Sequence, residues 1–116
     1  MNLSITQYGD VDVIRLPDQM VMANAAPIRK QIQAGVKDDR KSKVLDLSQT
    51  SFMDSSGLSV LVSVLKSVNK VGGDVVMLNI RNDVRALIEL TRLHEVFEIF
   101  GDLQAACTHL DINQVA

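Results

Sequence analysis

Apolar and polar positions alternate at the start of the chain. Leu3 and Ile5 stand between polar neighbours, Val11 to Leu16 is a second β-rich run, and Tyr8-Gly9-Asp10 lies between them. Period-two alternation around turn residues predicts a hairpin. Pro17-Asp18 ends its second strand, and Gln19 to Met22 is suited to a short third one. The period then lengthens: Ile28, Ile32 and Val36 recur at i+4 spacing, with Arg29, Lys30 and Gln33 off the stripe. This predicts a helix. Asn24 is its expected cap, which puts Pro27 in the first turn, where a missing N–H costs little. The helix should fade over Gly35 to Asp39, and Lys37 to Lys43 reads as a solvated, charged connector.

Val44 to Leu47 is a short apolar strand, and Val75 to Ile80 is a nearly unbroken apolar run between Gly72-Gly73 and Asn82-Asp83. Unbroken runs suit strands covered on both faces. A helix of about four turns separates the two. Strand, helix, strand predicts a βαβ unit with parallel strands. Asn82 or Asp83 then caps a helix carrying Val84, Leu87, Ile88 and Thr91 on one side, and Phe97 to Phe100 reads as a last short strand. Leu103, Ala106, Cys107 and Leu110 fall at i, i+3, i+4, i+7 and predict a final helix, with residues 111–116 as a fraying tail. No repeat or linker interrupts this order, so residues 1–116 read as one α/β domain: a small mixed sheet with an N-terminal hairpin, a parallel βαβ core and four helices packed on it.

The helix between these two strands is the most informative segment. At 100° per residue, Leu58, Leu61, Val62, Leu65 and Val68 form a core stripe, and Ser59, Ser63, Lys66, Ser67 and Lys70 a polar face. Val60, Val64 and Val71 lie on a shoulder between them. Two readings follow: a wide buried face against a large sheet, which the wheel favours, or an apolar shoulder that binds a partner.

Composition narrows the function classes. The 116 residues are 47% hydrophobic, enough for a core, with a net charge of -2 and 3% aromatics. That balance gives no electrostatic case for direct nucleic-acid binding. No run of about 18 apolar residues predicts a transmembrane helix. Met1 to Gln7 lacks the features of a secretory signal, and the single Cys107 forms no intrachain disulfide, which together point to a cytoplasmic protein.

The helix opens with Asp54-Ser55-Ser56-Gly57. Asp54 or Ser55 is a good N-cap. Ser56 then falls in the first turn, near backbone N–H groups and the positive end of the helix dipole, so a phosphate there would be tolerated. It would add roughly two negative charges beside Asp54 and oppose a partner docking on that spot. Gly57 leaves room for close approach. The competing reading is plain: Ser and Asp are the residues that cap helices, and on the residues alone capping is the stronger account.

The stretch Phe52-Met53-Asp54-Ser55-Ser56-Gly57-Leu58 resembles the signature of the STAS-domain anti-sigma-factor antagonist family. Val44-Leu45-Asp46-Leu47-Ser48 is similar to the strand that precedes that signature, and Gly72-Gly73-Asp74-Val75-Val76-Met77-Leu78 to the one that follows it. The order of elements agrees from about Leu3 to Leu110. The resemblance implies a partner switch without catalysis. The unphosphorylated protein would bind an anti-sigma factor that is also a serine kinase of the histidine-kinase-like ATPase type, releasing its target. Phosphorylation of Ser56 would break the complex, and a serine phosphatase would restore it. Asp54 would shape the site, Ser55 would be a structural cap, and Gly57 would permit the tight turn into the helix. Where many members carry an Asp before the first helix, this chain has Val21, in Asp18-Gln19-Met20-Val21. Met20, Val21 and Met22 therefore make a more apolar edge, either a partner surface or packing under the loop.

Other candidates are weaker. Cys107 lies on an apolar stripe and reads as a structural thiol. His94 and His109 lack metal-ligand spacing and read as surface residues near helix ends. Gly72-Gly73 has no following Gly-Lys-Ser/Thr, so it is no phosphate loop. No nucleophile with a matched base is evident, and neither a cofactor nor a metal is expected. The alternative to the switch is a constitutive, non-phosphorylated STAS subunit of a larger assembly, such as a lipid-transport or stressosome-type complex. A weak homodimer is compatible with either.

Overall fold

The computed structural model describes residues 3–35 and 42–115. Val36 and the connector positions up to 41, which the sequence assigns to a fading helix and a loop, lie outside them. The hairpin forms as expected: β1 (Ser4–Tyr8) pairs antiparallel with β2 (Val11–Arg15), and Gly9 takes the positive φ of 62° that the turn needs. β3 (Gln19–Met20) leads into α1 (Met22–Ala34), followed by β4 (Ser42–Asp46), β5 (Phe52–Met53) and α2 (Ser55–Lys70). Then come β6 (Val75–Leu78), α3 (Asn82–Leu90), one 3-10 turn (Leu93–Glu95), β7 (Glu98–Phe100) and α4 (Leu103–Val115). The helical path thus continues past Asp111.

The main sheet has the order β1-β2-β4-β6-β7, parallel except for the hairpin. Its central strands are covered on both faces, which explains their unbroken apolar runs. Side chains alternate across the sheet. Ile14, Leu45 and Met77 join Ile28 and Ile32 of α1, Val60 to Val68 of α2 and Val84 and Ile88 of α3 in the larger core. Val13, Val44 and Val76 face the other way, onto Ala106 and Leu110 of α4. β3 and β5 form a separate two-stranded parallel ladder, with Gln19 opposite Phe52 and Met20 opposite Met53.

Three local expectations are corrected. First, α1 begins at Met22, two residues before Asn24, and its N-cap is Val21. Asn24 instead reaches back, its Oδ1 accepting the Val21 N–H at 3.0 Å and its amide donating to the Gln19 carbonyl at 2.8 Å. Pro27 therefore sits inside the helix, beyond the first turn. Second, Ser42 and Lys43 are buried members of β4, not part of a solvated connector. The Lys43 ammonium lies 2.7 Å from Asp12 Oδ2 and donates to the Gly35 carbonyl at 2.9 Å, so its charge is met inside the fold. Third, the buried stripe of α2 is Gly57, Val60, Leu61, Val64 and Val68. Val60 and Val64 have no exposed surface. The larger sheet simply buries a face rotated from the one the wheel centres on, while Leu58, Val62 and Leu65 are half-buried at its margin.

Candidate functional site

The small β3–β5 ladder builds the site. It carries Met20-Val21-Met22 alongside Met53-Asp54-Ser55-Ser56, so α1 and α2 start side by side. The Ser51 N–H donates to the Asp18 carbonyl at 2.8 Å and the Asp54 N–H to the Met20 carbonyl at 3.1 Å, which extends the pairing on both sides of the ladder. Thr50 anchors the preceding loop, its buried hydroxyl donating to the Pro17 carbonyl at 2.8 Å. Thr50 carries no local signal in the sequence, and only the fold brings it to Pro17.

Asp54, not Ser55, is the N-cap of α2. Its Oδ1 accepts from the Ser56 N–H at 2.8 Å and from the Gly57 N–H at 3.1 Å. Its Oδ2 accepts the Met22 N–H at 3.1 Å, at the head of α1. The valine at the α1 N-cap has no side-chain acceptor, so a carboxylate from the neighbouring helix serves one of the orphan amides there. The amides near Ser56 are therefore engaged, where the sequence leads one to expect them free. Ser55 is the first residue of α2, exposed, and its hydroxyl makes no hydrogen bond among the described residues. Its expected role as a cap is overturned, because Asp54 fills that position.

Ser56 is half-buried, and its hydroxyl likewise bonds to nothing among the described residues. It lines a shallow groove of about 290 Å³ between the helix heads, with Met22, Ala25, Ala26, Arg29 and Ser59. Arg29, which the sequence places merely off the apolar stripe, is the one charged residue of that lining. The Ser59 hydroxyl is turned back on its own helix, donating to the Ser55 carbonyl at 3.0 Å.

Gly57 has a different role from the expected one. It lies within the first turn of α2 and is buried. A Cβ at this position would stand 2.4 Å from the Met20 carbonyl oxygen and 2.6 Å from Met53 Cγ. The missing side chain admits the chain's own β3 strand, not another molecule. Met20 is fully buried there, Val21 is half-buried and Met22 is 77% exposed, so only the last of the three offers an apolar surface. Phe52, opposite Gln19 on β5, is also exposed, at 53%. Its alternation with buried Met53 was a legible but slight signal. A second groove continues from Ser59 along α2, lined by Leu58, Val62, Ser63, Lys66, Thr91 and Leu93. The outward surface of α2 is thus half-apolar, with Lys66 and Lys70 as its charges. Val60 and Val64 have no part in it.

The remaining candidates lie elsewhere. Cys107 is half-buried on α4, across the sheet, beside Tyr8, Gly9 and Leu103. Burial, and then the nearby Asp111 carboxylate, push its thiol above the ordinary value. His94 is exposed in the 3-10 turn; His109 packs against the Phe100 ring at 5.3 Å, its Nε2 3.9 Å from Asp74. Among the described residues no group of His, Cys, Asp and Glu could hold a metal ion, and no helix is long and apolar enough to cross a membrane.

Known proteins share this architecture. The chain is 27% identical to the anti-sigma F factor antagonist of Paenibacillus polymyxa, over 97% of this chain and 98% of that one. The unphosphorylated form of the anti-sigma factor antagonist SpoIIAA superposes with a TM-score of 0.82 at 20% identity, covering 95% of this chain and 96% of that one. The phosphorylated form of SpoIIAA, a Bacillus cell fate determinant, gives 0.73 at 19% identity, covering 93% and 98%. These structural likenesses establish the fold. Residues 2–106 match the STAS domain, and the chain belongs to that family.

Proposed function

We propose that this protein is a phosphorylation-controlled anti-sigma-factor antagonist with no catalysis of its own. Unphosphorylated, it binds an anti-sigma factor that is also a serine kinase of the histidine-kinase-like ATPase type, and the kinase's target is released. Phosphorylation of Ser56 breaks the complex, and a serine phosphatase resets it. The docking face consists of the Ser56 groove, the outward side of α2 along Ser59 and Ser63, and the exposed Met22 and Phe52.

The observation that carries this reading is the idle hydroxyl of Ser56. Capping accounts for Asp54, which accepts from the Ser56 and Gly57 amides of α2, and leaves neither Ser55 nor Ser56 a part in the cap. Ser56 is left with a hydroxyl unbonded among the described residues, at the edge of an open groove, on a helix start whose backbone is held by other groups. A hydroxyl without a structural duty can be modified without disturbing the fold. The names of the relatives, and the existence of SpoIIAA in unphosphorylated and phosphorylated forms, support the same assignment.

The test is phosphopeptide mapping of the protein isolated from its native host, in growth and under stress. Phosphate on Ser56 that changes with condition is the expected result. A fully covered peptide that is never modified would sink the switch, and the protein would be a constitutive subunit instead.

A further inference from the structure

A phosphoryl group on Ser56 needs partners. It carries about two negative charges and three strong acceptor oxygens. At most helix starts the first backbone amides would take it. Here the Ser56, Gly57 and Leu58 amides are occupied: the Ser56 and Gly57 N–H groups both donate to Asp54 Oδ1, and the Leu58 N–H donates to the Asp54 carbonyl at 3.1 Å. An anion already sits at this helix head, and a second would be repelled by it. The phosphoryl group must find its counter-charge on the groove side.

That side offers one. Of the groove residues Met22, Ala25, Ala26, Arg29, Ser56 and Ser59, only Arg29 is charged. It is half-buried on α1 and makes no hydrogen bond or ion pair among the described residues. Arg92 and Arg81 differ, pairing with Glu95 and Asp83 close by in sequence. The small side chains of Ala25 and Ala26 leave space between Arg29 and the α2 start. A guanidinium suits this task because its planar fork takes two phosphate oxygens at once.

We propose that Arg29 is the internal receptor of the Ser56 phosphoryl group, drawing it into the groove against α1 and away from Asp54. The inference rests on Ser56 being the acceptor. It adds to the switch: phosphorylation places an anion on the docking face and also withdraws from that face the cation that an acidic partner group would meet.

The experiment uses the full chain with phosphoserine installed at position 56 during translation, followed by phosphorus NMR through a pH titration. The charged groups facing the phosphate are Arg29 from α1 and Asp54 at the head of α2, and they act in opposite directions. The readout is therefore the difference between variants. Arg29→Gln is expected to raise the second phosphate pKa by roughly one unit relative to the otherwise unaltered phosphoprotein. Arg29→Lys, which keeps the charge but loses the fork, is expected to fall between them, and Arg81→Gln to leave the titration unchanged. Superimposable Arg29→Gln and unaltered titrations would overturn the proposal, as would a phosphoserine chain that does not fold. Because the phosphate is installed without a kinase, a negative result here leaves the phosphopeptide result standing, and the reverse also holds.

Discussion

The Asp54 carboxylate joins the heads of two helices, accepting the Met22 N–H of α1 through Oδ2 at 3.1 Å while its Oδ1 caps α2. A side chain that caps one helix contributes about 1 kcal/mol. This one also supplies a charge-assisted bond to a helix whose own N-cap is a valine. Asp54→Ala should therefore cost about 2 to 3 kcal/mol, lowering Tm on the order of 10 °C. Asp54→Asn keeps an acceptor oxygen for the cap but loses the one that receives the Met22 N–H, and should cost about half as much. Calorimetry on the two variants checks the ordering. An Asp54→Asn protein as stable as the unaltered one would mean that the bond to Met22 contributes nothing.

Gly57→Ala sets helix propensity against packing. Alanine is the better helix former by about 1 kcal/mol. The new Cβ, however, would fall 2.4 Å from a backbone carbonyl oxygen, which no rotamer change relieves. The β3 strand must move, and with it the seat of α1. A net loss of about 2 to 4 kcal/mol is expected, read from the urea midpoint. A stabilised Gly57→Ala protein would show that the two strands part easily, and would undo the account of the site as a rigid ladder.

How far the sequence discloses such features depends on the range of the interaction. Strand order through the βαβ unit, the turn at Gly9 and the segment containing Ser56 follow from local period and residue type. The cap is only half legible: Asp54 and Ser55 are equally good caps on paper, and distances to two amides decide between them. The bond from Met22 to Asp54 spans 32 positions and has no local signature. For Val60 and Val64 the wheel favours the wide buried face, which the structure has, over the docking shoulder; it leaves the choice open because it shows the width of an apolar face but not where a sheet centres on it. Lys43 was read with its charged neighbours, while its partner Asp12 lies 31 positions away. Arg29 carries no signal in the sequence; its place beside Ser56 follows from how α1 and α2 pack.

Val64 and Met22 separate core from docking face. Val64 is fully buried, so Val64→Glu would place a carboxylate in the core without a partner and should leave no folded domain. Met22→Glu changes a side chain that is 77% exposed and should shift stability by no more than about 0.5 kcal/mol. On the proposed docking face it should nevertheless weaken binding to an anti-sigma-factor partner, by adding charge to an apolar contact. Circular dichroism and a binding titration on both variants give the comparison. A folded Val64→Glu protein would reopen the α2 shoulder as a surface.

Cys107 should be a sluggish nucleophile. Its thiol is raised from the ordinary 9.0 by burial and by Asp111, so the folded state holds the proton more tightly than the unfolded chain. Any stability this confers is present below the unfolded value and is lost as pH rises through the folded one. Alkylation by iodoacetamide at about pH 8 should then be slower in the native protein than in denaturant, and should accelerate with alkali. Equal rates in the two states would mean that the thiol is open to solvent.

The Lys43–Asp12 pair tests whether the fold needs charge at the base of its sheet. Both groups are nearly inaccessible, and the ammonium also holds the Gly35 carbonyl at the end of α1. Lys43→Met fills the space but takes from the buried carboxylate of Asp12 its 2.7 Å ion pair, at an expected cost of about 3 to 5 kcal/mol. Replacing both, as Asp12→Leu with Lys43→Met, removes the buried carboxylate as well and should recover much of that loss, because an ion pair taken out of water contributes little net stability over a well-packed apolar pair. The Gly35 carbonyl still loses its donor, so recovery should stop short of complete by about 1 kcal/mol. Urea unfolding of both single variants and the double variant yields the coupling between the two sites. A double variant no more stable than Lys43→Met alone would mean that the bond to Gly35, and not the ion pair, is what Lys43 supplies.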